Sequence, residues 1–203
     1  MNSLETVIFD LGNVLLPLDW GIARKRMCDR TGCSRRELET FIVNTPFLEQ
    51  LELGQLTAKQ FFEIIARELR FTGTQAEFEQ IWSDIFTIDD AMIDLTQKLK
   101  GSYRRFILSN TSPQHIEFVF ARYPVLRDFD GHILSYEVGL LKPDRRIYEL
   151  ALHRFGIAVE RAVFIDDLPA NIAGAREVGL AAIQHKSFKK TCRELTRLGI
   201  PNI

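Results

Sequence analysis

The sequence predicts an α/β protein, a doubly wound parallel sheet carrying a helical insertion. Three observations predict it. Beyond Gly101 strand-like and helix-like patterns alternate, which implies parallel strands with helices on both faces. Between about Trp20 and Leu99 no convincing strand occurs, and apolar residues recur at helical period. Three apolar runs end on Asp10, Ser109 and Asp166-Asp167, and the carboxyl ends of parallel strands are where such sheets place their ligand crevice.

The elements follow in order. Val7 to Phe9 reads as a buried strand closed by Asp10. A carboxylate is tolerated there only if it reaches a partner or a metal, because an unpaired buried charge costs several kcal/mol or more. Gly12 reads as a residue that frees the backbone and admits a ligand, or as part of a plain Asp-Leu-Gly-Asn turn. Ser34-Arg35-Arg36-Glu37, Thr57-Ala58-Lys59-Gln60 and Thr74-Gln75-Ala76-Glu77 are capping-box patterns that start helices. Ala58, Phe62, Ile65 and Leu69 share one helical face, as do Phe78, Ile81 or Trp82, and Ile85. Gly54 and Gly73 punctuate this bundle. Arg105 to Ser109 is the second strand, and Asn110-Thr111-Ser112-Pro113 leads into a helix bearing Ile116, Phe120 and Tyr123. Ile133 to Tyr136 reads as a short strand, and Asp144 caps a helix with Ile147, Ala151 and Phe155 inside. Val163 to Ile165 is a further strand, after which Pro169 opens a helix that stops at Gly179. Leu180 to Ile183 and a helix marked by Phe188, Cys192 and Leu195 complete the chain.

With 203 residues the chain can bury one good core plus a smaller unit. A formal charge of -1 supplies no field for nucleic acid or an anionic membrane. Cys28, Cys33 and Cys192 form no Cys-x-x-Cys pair and read as free thiols in a reducing compartment. Val7 to Leu18 is too short to span a bilayer and contains Asp10, and the chain start has no basic n-region. A soluble, cytoplasmic protein is expected, as a monomer or weak homodimer, with no nucleic-acid or membrane partner. His115, His132, His153 and His185 lack ligand spacing, and the pairs Arg35-Arg36, Arg104-Arg105, Arg145-Arg146 and Lys189-Lys190 read as solvated faces.

Four short motifs remain at strand ends or the loops beyond them: Asp10-Leu11-Gly12-Asn13-Val14, Ser109-Asn110, Lys142-Pro143-Asp144 and Asp166-Asp167. A parallel sheet would converge them on one edge. Carboxylates that close raise one another's pKa unless a cation sits among them. Oxygen ligands of this kind suit Mg²⁺, which takes substrate phosphate oxygens as further ligands. Lys142 supplies a point charge for a phosphate, and Ser109 with the following helix amides supplies hydrogen bonds. The constellation reads as phosphoryl transfer on a small phosphorylated metabolite.

In this order the motifs resemble the haloacid dehalogenase superfamily over nearly the whole chain. The resemblance implies a Rossmann-like core over residues 1–17 and 96–203, with a helical cap over 18–95. It implies Asp10 as nucleophile of an aspartyl-phosphate mechanism. Asp10, the backbone carbonyl of Gly12 and Asp167 would hold Mg²⁺, with Asp166 a direct or water-mediated ligand. Ser109, Asn110 and Lys142 would serve the phosphate, and Asn171 and Asn13 would stand behind the ligands; for Asn171 a simple place in the polar first turn of its helix is equally open.

Phosphatases of the superfamily usually carry a second Asp, a general acid and base, where this chain has Gly12. Asp19 or a water held by Asn13 could replace it, the substrate could have a good leaving group, or the chain could be a weak catalyst. Phe-Asp-Leu-Gly-Asn-Val resembles a branch acting on α-D-glucose 1-phosphate, which suits the second reading. Two rival functions stay open. Haloacid dehalogenases also lack the second Asp and need no metal, but they typically lack the acid pair Asp166-Asp167. A phosphate-binding or regulatory protein without useful turnover is the other.

Overall fold

The structure is a computed structural model that describes residues 3–201. Its centre is a five-stranded parallel sheet in the order β3-β2-β1-β4-β5. The strands are β1 (Thr6–Phe9), β2 (Arg104–Ser109), β3 (Gly131–Leu134), β4 (Ala162–Asp166) and β5 (Ala181–Gln184). The chain winds outward from β1 to β3, then returns to lay β4 on the other side of β1. The strand order therefore reverses between β1 and β4, the position at which open α/β sheets hold ligands. Phe9 lies in register with Ile107 on one side and Ile165 on the other, so Asp10, Ser109 and Asp166 emerge together at one edge.

Alternation along the strands assigns side chains to two cores. Val7, Phe9, Ile107, Val163 and Ile165 face α6 (Asp90–Leu99), α7 (Pro113–Arg122) and α11 (Phe188–Arg197). Ile8, Phe106, Leu108 and Phe164 face α9 (Arg145–Arg154) and α10 (Pro169–Glu177). Both faces are covered, which is why these strands read as continuous apolar runs.

Five helices fold around a third core of their own: α1 (Trp20–Thr31), α2 (Arg35–Asn44), α3 (Phe47–Glu52), α4 (Ala58–Glu68) and α5 (Gln75–Ser83). The capping boxes at Ser34, Thr57 and Thr74 all form, each satisfying orphan amides at a helix start. On α4 the buried face is led by Phe61 with Ile65, rather than by the predicted Phe62, which is half-buried. This third core ends at Phe86. Helix α6, six of whose ten residues fall inside the expected 18–95 segment, packs Met92, Ile93, Leu95 and Leu99 against the sheet. Two chain crossings join the units side by side: Asp19 N–H donates to Ile85, Thr87 N–H to Pro17 and Asp89 N–H to Leu15, with Leu18 and Phe86 bridged antiparallel.

The predicted strand Ile133 to Tyr136 stops at Leu134, because Ser135–Val138 turns into a short helix, α8, closed by Gly139 in the left-handed region. All three cysteines are free thiols. Among the described residues no helix is long and apolar enough to cross a membrane.

Candidate active site

Asp10 extends the β1 ladder by one rung, its N–H donating to the Ile165 carbonyl at 2.9 Å, and the residue is 7% exposed. Oδ1 accepts from Leu11 N–H at 2.7 Å and from Lys142 Nζ at 2.8 Å, which leaves Oδ2 without a protein partner among the described residues. Lys142 is equally buried and also donates to Asp166 Oδ2 at 2.7 Å. One ammonium thus ties the ends of β1 and β4 together. Burial opposes charge on Lys142, but Asp10 and Asp166 outweigh it and hold its pKa above the usual lysine range. Burial pushes the Asp10 carboxyl up to about 7; Asp166 adds to the rise and Lys142 opposes it.

Asp166 is fully buried. Leu168 N–H donates to its Oδ1, and Asn171 Nδ2 donates to both of its oxygens at 3.0 Å. Asn171 is thereby a direct partner of Asp166 and not merely a polar residue of the first turn of α10. Asp167 is half-buried, and its carboxylate accepts from Asn13 Nδ2 at 3.1 Å. Oxygens of Asp10, Asp166 and Asp167 lie within 4.8 Å of one another. Three carboxylates against one lysine leave an excess of negative charge that a divalent cation with oxygen ligands would neutralise, so this donor set fits Mg²⁺.

Gly12 does not hold the left-handed conformation its type allows. The residue with φ of 53° is Asn13, whose side chain bonds both Asp167 and the Leu18 N–H. A Cβ built on Gly12 would meet Leu18 Cδ1 at 3.4 Å, an ordinary contact. Neither backbone nor space requires glycine here, which corrects its reading as a permissive turn residue.

Ser109 is buried at the end of β2. Asn110, expected to serve the phosphate, clamps the Lys142 backbone: Oδ1 accepts from Lys142 N–H at 2.8 Å and Nδ2 donates to its carbonyl at 2.9 Å. Its side chain fixes the lysine, and the residue also lines the cavity described below. Asp19, a candidate for the missing acid, accepts from Gly21 N–H as the cap of α1 and is exposed. Arg145 and Arg146 pair with Glu149 and Asp144 on the surface.

Beside Gly12 opens a cavity of about 90 Å³ between the helical unit and the sheet. Leu18, Trp20, Ile85 and Phe86 wall it, Ser109 and Asn110 floor it, and Glu52 and His115 are its titratable groups. The His115 ring stacks on Trp82 at 5.8 Å and hydrogen-bonds the Trp82 carbonyl, and burial pushes its pKa down to about 4. Sequence reasoning passed over Glu52. Its one signal is an acid between Leu51 and Leu53 at the close of a short helix, where a solvent-facing charge is out of step with its neighbours.

A model of the haloacid dehalogenase-like hydrolase family matches residues 4–179. D-ribitol-5-phosphate phosphatase of Bacteroides thetaiotaomicron is 27% identical over 205 residues, covering 95% of this chain and 97% of its own. (S)-2-haloacid dehalogenase of Pseudomonas sp. strain YL is 40% identical over 192 residues, covering 88% of this chain and 81% of its own. A HAD family enzyme from Bacteroides thetaiotaomicron, solved in complex with magnesium and inorganic phosphate, superposes with a TM-score of 0.82 at 26% identity, covering 91% of this chain and 95% of that one. With its strand order, its strand-end acids and a family model spanning most of its length, the chain belongs to the haloacid dehalogenase-like hydrolases.

Proposed function

We propose that this enzyme is a Mg²⁺-dependent phosphatase of a small phosphorylated metabolite, with sugar and polyol phosphates the first class to test. The observation that carries the reading is the cluster of Asp10, Asp166 and Asp167, oxygens within 4.8 Å, beside the buried Lys142. Attack of a carboxylate on carbon has no use for three carboxylates at one point, whereas a metal-assisted phosphoryl transfer does. The relation to D-ribitol-5-phosphate phosphatase supports the same reading.

Asp10, the Gly12 carbonyl and Asp167 would hold the ion, with Asp166 direct or through water. The saturated hydrogen bonding of Asp166 favours the water-mediated form, and the single partner of the Asp167 carboxylate among the described residues favours direct ligation. Bound there, Mg²⁺ neutralises the carboxylates and polarises the phosphoryl group. Oδ2 of Asp10 attacks phosphorus, and water later hydrolyses the aspartyl phosphate, so that one difficult displacement becomes two easier ones. Lys142 and Ser109 hold the phosphoryl oxygens, and Asn110, Asn171 and Asn13 hold Lys142, Asp166 and Asp167 in place. The helices of residues 18–86 act as the cap that closes over the crevice.

The test is a panel of phosphomonoesters with Mg²⁺ and with EDTA, beside Asp10→Asn. Expected is turnover that EDTA abolishes and that Asp10→Asn lowers by at least about 10³-fold. Turnover independent of metal or of Asp10 overturns the mechanism. The 40% identity to a 2-haloacid dehalogenase and the apolar cavity walls favour a second reading, carbon–halogen hydrolysis. Halide release from 2-chloropropionate without metal would establish it in place of the first. Binding of inorganic phosphate without turnover of any substrate would mark a regulatory protein.

A further inference from the structure

Phosphatases that the chain resembles carry, at the position of Gly12, the acid that protonates the leaving group, and a cavity opens beside Gly12. Two titratable side chains line that cavity. His115 is already engaged with the Trp82 carbonyl and stacked on its ring. Glu52 makes no hydrogen bond or ion pair among the described residues, and its surroundings act on it through burial and charge alone.

Glu52 ends α3, and the chain beyond it is anchored to the core. Leu53 N–H closes the helix on the Glu49 carbonyl at 2.8 Å. Gly54 has φ of 70°, and a Cβ there would collide with the Tyr136 carbonyl of α8. On the other side of this contact, a Cβ on Gly139 would lie 3.9 Å from the Leu53 carbonyl. The strap Glu52-Leu53-Gly54 is thus pressed onto the loop that follows β3, and Leu53 lies in a groove with Leu141, Lys142 and Pro143. This holds Glu52 at the wall of the cavity that Gly12 and Ser109 also line.

We propose that Glu52, reaching in from the cap, is the general acid and base of the reaction in place of the side chain missing at Gly12. The inference rests on the phosphatase reading. In the first step Asp10 Oδ2 bonds to phosphorus, the P–O bond to the alcohol breaks, and the Glu52 proton goes to the departing oxygen. In the second, the Glu52 carboxylate takes a proton from water as that water's oxygen bonds to phosphorus and the P–O bond to Asp10 breaks. Glu52 is then protonated again and Asp10 is free. Burial, Asp10 and Glu49 push the Glu52 carboxyl up, Lys142 opposes them, and it reaches about 7, a value suited to giving and taking a proton at neutral pH.

The experiment compares Glu52→Gln with wild type on alkyl phosphates and on p-nitrophenyl phosphate, in Mg²⁺. General acid–base catalysis typically contributes about 10²- to 10⁴-fold, so kcat/KM on alkyl phosphates should fall by about that factor. The first-turnover burst of p-nitrophenol, whose leaving group needs no proton, should change by less than about tenfold. The phosphorylated protein should accumulate in Glu52→Gln, read by intact mass, because its second step lacks a base. Adding Gly12→Asp, whose Cβ would meet only the Leu18 side chain at 3.4 Å or more, should restore alkyl turnover by at least about tenfold. Unchanged rates, or a loss equal for both leaving groups and confined to KM, overturn the proposal and make Glu52 a substrate-binding group at most. A wild type that hydrolyses no phosphomonoester removes the phosphatase reading itself, a result distinct from an active wild type indifferent to Glu52.

Discussion

Lys142 is the residue on which the site's electrostatics turn, since its ammonium separates two buried carboxylates that would otherwise face each other. Removing one partner of a buried pair typically costs about 3–5 kcal/mol, because the remaining charge is left uncompensated. Lys142→Met in metal-free protein should lose stability on that scale in urea unfolding, and added Mg²⁺ should recover part of it by binding the native state. A Lys142→Met protein as stable as wild type in EDTA would show that the carboxylates are not charged together. At this scale much of the site was legible. Asp10 and Asp166 each end an apolar run, and a charge at such a place demands a partner. The clamp of Asn110 on the Lys142 backbone was not legible, because a carboxamide beside a strand end can serve a ligand or a backbone and only the chain lying opposite shows the second. Gly12 drew attention as a flexible residue, while the strained backbone belongs to its neighbour Asn13.

At the scale of elements, local chemistry was the reliable guide where the partners are close in sequence. All three capping boxes join residues three apart, and all three form. Burial was harder. Phe61 and Phe62 adjoin, and which ring faces inward depends on the angle at which α4 meets α5, where Phe61 packs on Phe78 and Trp82 at 5.9 and 5.1 Å. Gly54 was read as punctuation between helices, yet its contact with Tyr136 makes it an anchor for the segment bearing Glu52. An L side chain in the left-handed region costs roughly 1–3 kcal/mol, and the collision with the Tyr136 carbonyl adds to it. Gly54→Ala should therefore lower stability by about 2 kcal/mol or more in urea titration. It should also reduce alkyl phosphatase activity more than the p-nitrophenol burst, by displacing Glu52. An unaffected stability would mean that the strap does not press on α8.

Across the whole molecule, helical unit and sheet meet where Trp82 of α5 stacks on His115 of α7. His115 is held neutral, with its pKa lowered from 6.5 to about 4 by burial. In the unfolded chain the ring takes up a proton near pH 6.5, so between that pH and about 4 the unfolded state binds more protons and stability falls as pH falls. The shift corresponds to a loss on the order of 3 kcal/mol across that window. Stability measured from pH 7 to 4 should fall more steeply for wild type than for His115→Gln; equal slopes would show that His115 is not buried as a neutral base. This histidine read as unremarkable in the sequence, because nothing near it in the chain marks it. Its partner stands 33 positions away.

The sequence by itself determined the class of sheet, the strand ends that carry charge and the helix starts, since each rests on residues within a turn or a few positions of one another. The tertiary structure alone decided which side of β1 receives β4, and hence that Asp10 and Asp166 share Lys142. It decided that α6 packs on the sheet and that Glu52 and Gly12 line one cavity. These are contacts between segments distant in the chain, set by how three cores pack against one another, and no local pattern of residue types encodes that packing.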